Sequence, residues 1–472
     1  MIRDLGVVDL SEDDVARVLA LAETHYLDLK DKRLTPADLS VHASAFANSA
    51  GGEIYLGLQE RRHRAAVWSG FATVEDANAH IQILDKTFEG ADVASAEFLR
   101  AKDETGFVLR IVIEKSNQIF TATDGKVYKR VGAQKLPVAL TSHDEHERLR
   151  LDKGAASYED TLLRDVDLER VTNSVAVIGF MIHAVPISEP IPWLTSQRLL
   201  VEENPTVAAC LLFDDEPQAI LPKRSAIKIL RYEESSEEGH RDQMVGDPLT
   251  IEGCLYDQIH EAVSTIIDIV EANRVQRAEG LVSIEYPQET LHEIVTNAVL
   301  HRDYSIVADV QVRIFDNRIE VESPGKLAGH VTTENILHVQ FARNGKLVRL
   351  INKFPNPPNK DVGEGLNTAS QKMHEIGLKP PEVTEDESSV TVYIRHERLA
   401  SHEEQILDYL TDHGEINNSK ARDLTGEGSE NRMKRVFERL MLSGDIHRDP
   451  TRKGRATAYL PGPKPPDDDP SD

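Results

Sequence analysis

The spacing of apolar and polar residues predicts helices and strands along the whole chain. Apolar residues recur at helical spacing from Leu291 to Val299, after a proline that suits the first turn of a helix. Alternation predicts a strand over 389–395, and continuous apolar runs over 206–213 and 225–232 predict buried strands. The remaining predicted helices span 11–22, 35–48, 248–274, 366–376, 401–413, 418–424 and 429–442, and the remaining strands span 23–30, 53–58, 107–114, 125–132, 309–315, 318–322, 445–448 and 456–460.

The predicted helix after Pro287 carries a polar ridge beside its apolar stripe. Glu293, Asn297 and His301 are spaced four residues apart, so their side chains lie along one side of the helix. A carboxamide oxygen can bind Mg²⁺ next to a phosphate chain, and a carboxylate one turn away can deprotonate water. An amphipathic helix with a solvated polar edge has the same pattern. The spacing by itself leaves both interpretations open.

A glycine turn further along the chain adds a phosphate-binding pattern. Gly363-Glu-Gly365-Leu366 stands at the start of the predicted helix 366–376, where backbone N–H groups can bind phosphate. The order of polar helix, hairpin, glycine turn and final strand resembles the GHKL ATPase family, whose members have the Bergerat nucleotide site. This resemblance implies that the segment binds ATP together with Mg²⁺.

The GHKL resemblance also implies a role for each matching residue. Asn297 matches the asparagine that holds Mg²⁺, and Glu293 matches the general base of the members that hydrolyse ATP. The family's Asp-x-Gly-x-Gly motif, whose aspartate contacts adenine, is not intact, and Glu322-Ser-Pro-Gly325 stands near its place. Adenine recognition and hydrolysis therefore remain open. The residues expected to contact the nucleotide are Asn297, His301, Gly325, Gly363, Gly365 and Leu366.

Three stretches near the N-terminus resemble the Schlafen AlbA_2 domain, a nucleic-acid-binding type of domain. They are Glu23…Asp28-Leu-Lys30, the run 45–57 with its Gly-Gly pair, and Val127-Tyr-Lys-Arg-Val-Gly132. Some eukaryotic members are metal-dependent RNases with three carboxylates, and Glu23, Asp28 and Glu60 stand near those positions. The resemblance leaves open whether Glu23 and Asp28 bind a metal ion for phosphate cleavage or the domain only binds nucleic acid.

Basic residues in the same region are candidates for contact with a nucleic-acid backbone. They accompany Tyr128, whose ring could stack on a base. Lysines that protect an edge strand from pairing give a similar pattern. The candidate residues are Lys126, Lys129, Arg130 and Lys135.

A wider resemblance covers about residues 15–397. Leu212-Phe213, Pro217 and the run Asn297-Ala298…His301-Arg302-Asp303-Tyr304 resemble a bacterial and archaeal family that joins an AlbA_2 domain to a GHKL-like domain. Its members are often labelled as RecG-like, helicase-related transcriptional regulators. The chain has no Gly-x₄-Gly-Lys-Ser/Thr sequence, so no P-loop supports a helicase activity.

The C-terminal region has the order of elements found in a winged helix-turn-helix. Three predicted helices precede two short strands, and the region from 429 to 462 has more basic than acidic residues. Such a unit can bind DNA or another protein. The residues expected to contact nucleic acid are Arg432, Lys434, Arg435, Arg439, Arg452, Lys453 and Arg455.

Composition narrows the class of protein. The net charge of −26 on 472 residues argues against unspecific coating of a polyanion, so any nucleic-acid contact has to come from local basic patches. Cys210 and Cys254 lie in apolar patterns and are expected to be buried thiols. No apolar run is long enough for a membrane helix, and no signal peptide is recognisable. We expect a cytoplasmic protein.

The sequence thus predicts a multidomain α+β protein. The expected parts are an AlbA_2-type α/β domain over 1–150, an α/β connecting segment over 151–285, a GHKL-like (Bergerat) α/β sandwich over 286–397, a winged helix-turn-helix over 400–462 and a disordered tail over 463–472.

Three functions remain open on the sequence. The first is a nucleotide-regulated DNA-binding protein, a transcriptional regulator with DNA or RNA as partner, which by analogy with GHKL proteins forms a homodimer or higher oligomer. The second is a Schlafen-type metal-dependent nuclease gated by ATP. The third is an interaction scaffold with a decayed nucleotide site. Enzymatic activity is therefore undecided between a weak ATPase, an endonuclease and none.

Overall fold

The structure is a computed structural model of the chain, in which the parts of the sequence fold into mixed α/β units. The expectation of a multidomain protein with both helices and sheets is confirmed. Two compact units are formed, the first by Met1–Met373 and Pro380–Arg395 and the second by His374–Lys379 and His396–Asp472. The described residues are 5–61, 64–130, 137–221, 224–236, 239–272, 274–277, 280–283, 286–358, 365–396, 402–425, 428–450, 452 and 457–462.

A five-stranded sheet organises the N-terminal part of the first unit. Its strand order is β1-β6-β7-β3-β2, and α2 packs against it through Leu39 and Phe46. Thr35 caps α2 by accepting the Asp38 N–H, and Pro36 occupies its first turn. The elements are β1 (Val7–Asp9), α1 (Glu12–Leu19), β2 (Leu27–Lys30), α2 (Pro36–Ala47), β3 (Gly52–Leu56), β4 (Leu58–Arg61), β5 (Arg64–Trp68), α3 (Asn78–Thr87), β6 (Ala94–Arg100), β7 (Phe107–Ile113), β8 (Tyr128–Lys129) and β9 (Val138–Ala139).

The next segment is mainly helical. Its elements are α4 (His143–Asp152), α5 (Glu169–Thr172), α6 (Val175–Ala184), α7 (Pro190–Ser196), β10 (Leu200–Val201), β11 (Asn204–Pro205) and α8 (Val207–Phe213). Short 3₁₀ turns in the first unit span Val74–Ala77, Tyr158–Asp160, Pro217–Ala219 and Arg241–Gln243.

The run 206–213 is a helix, so the prediction of a buried strand there was wrong. All seven residues of α8 are buried, and a continuous apolar run does not distinguish a buried helix from a buried strand. Thr206 decides the outcome locally, because its side chain accepts the Ala209 N–H and so caps the first turn.

A six-stranded sheet of order β13-β12-β16-β17-β19-β18 follows. Helices α9 and α10 pack against each other and contact β12 and β17 respectively. The sheet takes strands from both sides of the predicted boundary at residue 285. The elements are β12 (Ile227–Arg231), β13 (Leu249–Ile251), α9 (Leu255–Ala272), β14 (Arg274–Arg277), β15 (Gly280–Ser283), α10 (Gln288–Leu300), β16 (Val310–Ile314), β17 (Arg318–Pro324), α11 (Gly345–Ile351), α12 (Gly365–Glu375), β18 (Glu382–Glu385) and β19 (Ser389–Arg395).

The second unit contains three helices and a two-stranded sheet. Buried residues of α15, among them Met433 and Phe437, pack with Ile406 and Leu410 in one core. Gly444 ends α15 in the left-handed conformation that favours glycine. The elements are α13 (His402–His413), α14 (Asn418–Thr425), α15 (Glu430–Ser443), β20 (Ile446–Arg448) and β21 (Tyr459–Pro461). Across the described residues of both units, the helices lack the combination of length and apolarity that a membrane span requires.

Candidate functional site

A cavity of about 910 Å³ opens in the first unit between α10, the loop after β17 and the start of α12. Its volume is within the range of small-molecule sites in proteins. Gly363 lies outside the described residues. The predicted nucleotide-site residues that line the cavity are Glu293, Asn297, His301, Gly325, Gly365 and Leu366.

Glu293 and Asn297 contact each other at the wall of this cavity. Asn297 Nδ2 donates a hydrogen bond of 2.7 Å to Glu293 Oε1, as their four-residue spacing on α10 predicts. Because the amide donates through its nitrogen, its oxygen can still accept a metal ion. Carboxylate and carboxamide oxygens are hard donors that suit Mg²⁺. The donor set at this wall therefore fits a magnesium ion bound together with phosphate.

Gly365 brings the N-terminus of α12 close to Glu293. A methyl group on Gly365 would lie 1.7 Å from Glu293 Oε1, so any larger residue there would force this carboxylate to move. The first backbone N–H groups of a helix lack partners within it and attract anions. The cavity therefore brings together a helix N-terminus, which can bind phosphate, and a carboxylate, which can act as a base.

The alternation of β17 decides which of its side chains faces the cavity. Val321 and Ser323 line the cavity, whereas Glu322 does not and forms an ion pair of 2.6 Å with Arg313 on β16. Ser323 donates to the carbonyl oxygen of Ala298. The Glu322–Gly325 stretch, which the sequence aligned with the GHKL aspartate motif, therefore presents the Ser323 hydroxyl to the cavity and not the Glu322 carboxylate.

Three basic side chains line the cavity and were not predicted from the sequence. They belong to Lys326, Arg343 and Lys372. Arg343 is buried, and it donates 2.7 Å to the carbonyl oxygen of Lys326 and 3.2 Å to that of Leu151. Burial lowers the pKa of Arg343, which is opposed by the charge of Asp303. These cations supply positive potential on the side of the cavity formed by the loop after β17 and by α12.

A pair of histidines at the cavity was also missed. His260 on α9 and His292 on α10 lie with ring centroids 5.4 Å apart. Burial and the neighbouring His260 lower the pKa of His292. No sequence pattern indicated this pair, because His260 lies in an ordinary amphipathic helix pattern.

Asp303, two residues beyond His301, is buried under the cavity wall. Arg148 on α4 forms an ion pair of 2.9 Å with it, and Arg343 lies 3.5 Å away. Burial raises the pKa of Asp303, but Arg343, Ser305 and Arg148 together outweigh burial and lower it. Asp303 therefore links the end of α10 to the helix that follows the N-terminal sheet.

Lys115 joins the N-terminal sheet to the loop that borders the cavity. Its Nζ donates 2.8 Å to the carbonyl oxygen of Leu327 and 2.9 Å to that of Val331, and both residues line the cavity. Glu385 Oε1 is 3.8 Å from Lys115 Nζ and accepts the Leu327 N–H. Burial lowers the pKa of Lys115 and Glu385 opposes this shift. The side chain thus spans the two parts of the first unit.

A second buried lysine lies at the same junction. Lys153 follows α4, is 3% exposed and donates 2.6 Å to the carbonyl oxygen of Ala47 at the end of α2. Burial, together with the charge of Lys115, lowers the pKa of Lys153 to about 7.

The predicted nuclease acids Glu23 and Asp28 lie in a compact ion-pair network. Asp28 is fully buried, and it pairs with Lys30 at 3.1 Å, His42 at 2.9 Å and Arg130 at 3.0 Å. Lys30 also pairs with Glu23 at 2.7 Å. Burial raises the pKa of Asp28, but the hydrogen bond from His42 and the charges of Lys30 and Arg130 outweigh it. The Asp28 carboxylate is therefore paired with basic side chains of the protein at the position where the nuclease hypothesis places a metal ion.

The three-acid set is not assembled in the described part of the chain. Glu60 lies on β4, beyond the strand that pairs with β2. Within the described ranges, no three histidine, cysteine, aspartate or glutamate side chains stand together as a group that could hold a metal ion. The metal role of Glu23 and Asp28 thus remains a prediction without a matching geometry.

The basic residues of the N-terminal part separate into two groups. Arg130 is 6% exposed, pairs with Asp28 and lies over the Phe46 ring, so its predicted contact with nucleic acid does not fit its position. Lys126 is exposed and Lys129 on β8 is partly exposed, so both can reach a ligand. Lys135 lies outside the described residues.

In the second unit, the bases predicted on α15 are exposed. Arg432, Lys434, Arg435 and Arg439 all point away from the core. Two of them are partly neutralised, since Lys434 pairs with Glu430 and Arg439 with Glu403. Arg452, which lies beyond α15, pairs with Glu415. Lys453 and Arg455 lie outside the described residues.

Solved structures that are similar to this chain include the crystal structure of the DIP2311 protein. The DIP2311 protein from Corynebacterium diphtheriae is 17% identical, and the alignment covers 95% of this chain and 96% of that chain with a TM-score of 0.42. This TM-score is too low to establish a shared fold. No curated protein sequence matches this chain.

Two family models match separate segments. Residues 23–139 match the model "Schlafen, AlbA_2", and residues 308–394 match HATPase_c_4, described as "Putative ATP-dependent DNA helicase recG C-terminal". The first segment contains the Asp28 network and Lys115, and the second contains β16 to β19 of the cavity sheet. Together the matches suggest a nucleic-acid-binding, ATP-related protein. Both resemblances found in the sequence are thereby confirmed: one segment of this chain matches the Schlafen AlbA_2 model, and another matches the HATPase_c_4 model.

Proposed function

We propose that this protein binds nucleic acid under the control of ATP bound with Mg²⁺ in the cavity, and that it acts as a DNA-binding regulator. The observation that carries the proposal is the cavity, which gathers the predicted nucleotide residues of α10, of the loop after β17 and of α12. No contact to adenine is assigned, because Glu322 points away from the cavity.

The proposal gives separate roles to five residues of the cavity. The Asn297 amide oxygen binds Mg²⁺, which neutralises phosphate charge. The backbone N–H groups at the start of α12 bind phosphate, beside the Glu293 carboxylate that Gly365 allows to lie close to them. Lys326, in the loop after β17, and Lys372, on α12, add positive charge to the cavity. Glu293 orients water, and slow hydrolysis of ATP is the activity that this placement supports.

The proposed contacts with nucleic acid lie in two places. In the AlbA_2 segment, Lys126 and Lys129 are accessible for phosphate contacts. In the second unit, we propose that α13 to β21 form a winged helix-turn-helix, with α15 as the helix that enters the major groove. The exposed Arg432 and Arg435 would then contact DNA.

Lys115 provides a physical route between the nucleotide and the nucleic acid. It lies in the AlbA_2 segment and holds two carbonyl groups of the cavity loop. A nucleotide that contacts this loop would change how the loop holds Lys115. Binding of the nucleotide and binding of the nucleic acid would then both depend on the contacts between Lys115 and the loop.

No observation favours the nuclease interpretation over this proposal. Asp28 is already paired with three basic side chains, and a metal ion would have to displace them. The scaffold interpretation differs in predicting no nucleotide binding, so a binding measurement separates it from the proposal.

The test is calorimetric titration of the full chain with MgATP. We expect binding by the wild type, at least tenfold weaker binding by Asn297→Ala, and unchanged binding by Asn317→Ala. Asn317 is a matched control because it lies in the turn between β16 and β17 and does not line the cavity. Absence of binding up to about 1 mM MgATP, or equal binding by Asn297→Ala, would contradict the proposal.

A further inference from the structure

Helix α6 and the turn after it expose a set of large apolar side chains. Val175, Ile178 and Ile182 are spaced along one side of α6 and are 79%, 48% and 71% exposed. The opposite side, with Val177 and Phe180, is buried against the protein. Ile187 in the following turn is 99% exposed, and Ile191 on α7 is 50% exposed. We name these five exposed residues the α6 face.

Single exposed apolar side chains are common in proteins, but five large ones in one stretch are not. Their exposed fractions add up to about three and a half fully exposed side chains, or roughly 350 Å² of apolar surface at about 100 Å² for each. A standard interface buries about 800 Å² on each partner, of which a little over half is apolar. The α6 face therefore supplies most of the apolar area that one side of such an interface needs.

The charge around the α6 face is the second observation. Residues 174–188 contain no aspartate, glutamate, lysine or arginine, on a chain with a net charge of −26. The acids Glu189, just before Ile191, and Asp215, which accepts the Val175 and Ala176 N–H groups, lie at the two ends of this stretch. In a two-fold interface, residues near the axis meet the same residues of the other copy, so any acid there would meet an acid. An uncharged apolar stretch is the kind of surface at which two such acidic chains can meet.

We propose that the α6 face is the surface through which two copies of this chain form a two-fold dimer. Gly179 lies between Ile178 and Ile182 on the exposed side, and a methyl group added to it would meet no atom within 4 Å. This small residue allows two α6 helices to approach closely, with the flanking isoleucines packing around it. The proposal concerns assembly and does not depend on nucleotide binding.

Sedimentation of the full chain at about 10 µM tests the proposal. The wild type is expected at twice the chain mass of 52.7 kDa and Ile178→Glu at the single mass. Ile376→Glu is a matched control, because Ile376 is 50% exposed and lies outside the α6 face, and it should remain a dimer. A monomeric wild type, or a dimeric Ile178→Glu, would overturn the proposal.

Cross-linking tests the geometry without adding a charge. In Gly179→Cys, a short bis-maleimide reagent should join two chains covalently, whereas Lys86→Cys on α3 should give no joined product. Burial raises the pKa of both native thiols, Cys210 and Cys254, to about 12, so neither should react. Equal cross-linking of the two variants would overturn the two-fold arrangement at α6.

Discussion

Two pairs of polar residues in this protein begin as similar sequence patterns and end in opposite surroundings. Glu23 and Asp28 lie in an ion-pair network, with Asp28 paired to three basic side chains. Glu293 and Asn297 instead border a cavity of about 910 Å³ and hydrogen-bond to each other. The difference shows that spacing brings polar side chains close to each other, whereas the residues around them decide whether they serve stability or a ligand.

The comparison predicts different costs for the same chemical change. Asp28→Asn removes the buried charge that balances Arg130 and Lys30, so the free energy of unfolding should fall by about 3–5 kcal/mol. Glu293 borders the cavity, so Glu293→Gln should change the free energy of unfolding by less than about 1 kcal/mol. Denaturant unfolding of both variants measures this, and equal losses would show that the two sites do not differ in this way.

The buried lysine Lys153, at the junction between α4 and α2, should make stability depend on pH. The folded chain holds the pKa of Lys153 at about 7, whereas the unfolded chain has the ordinary value of 10.5. Between these values the unfolded chain binds the additional proton, so stability rises with pH by up to about 1.4 kcal/mol per unit. In Lys153→Met this contribution is lost.

The measurement is denaturant unfolding of wild type and Lys153→Met at pH 7, 8 and 9. Subtracting the free energy of unfolding of the variant from that of the wild type at each pH removes the contributions of the other titrating groups. The difference, wild type minus variant, should increase with pH. A difference that stays constant would mean that Lys153 is not held neutral in the folded chain.

The open site should be sensitive to the size of one residue. Gly365→Ala would push a methyl group into the Glu293 carboxylate and should weaken MgATP binding about tenfold, without loss of stability, since alanine favours helices. Gly345→Ala is the matched control, because Gly345 also begins a helix and a methyl group there meets nothing within 4 Å. Calorimetric titration compares the two. Equal affinities would remove the start of α12 from the proposed phosphate site.

The sequence predicted the α10 ridge because its three residues depend only on helical spacing. It also located Asp28, but not the partners that enclose it, since Arg130 is 102 residues further along the chain. His260 and the cavity lysines were missed for the same reason, because only tertiary packing brings them to α10. The contact of Lys115 with Leu327 spans 212 residues and left no sequence pattern.

The smallest expected effects concern the exposed lysines of the AlbA_2 segment. Lys126→Ala and Lys129→Ala should each weaken nucleic-acid binding about two- to threefold and reduce the slope of log K against log salt by slightly less than 1. Lys86→Ala on α3 is the control for an exposed lysine outside this surface. Binding of a labelled nucleic acid over a series of salt concentrations checks this, and unchanged slopes would place the contact elsewhere.

The link between the cavity and the AlbA_2 segment is the central claim, and Lys115→Met tests it. The variant removes the ammonium group that holds Leu327 and Val331. Lys102→Met, at an exposed position of the same segment, is the control. Thermal unfolding of both variants checks that the fold is retained.

The measurement is the affinity of the full chain for labelled DNA and RNA, with and without MgATP. In the wild type and in Lys102→Met, MgATP should change the affinity for at least one of them by about 5-fold or more. In Lys115→Met, each ligand should still bind alone, but MgATP should no longer change nucleic-acid affinity. If MgATP leaves the affinity of the wild type for DNA unchanged and also leaves its affinity for RNA unchanged, the proposed link is contradicted.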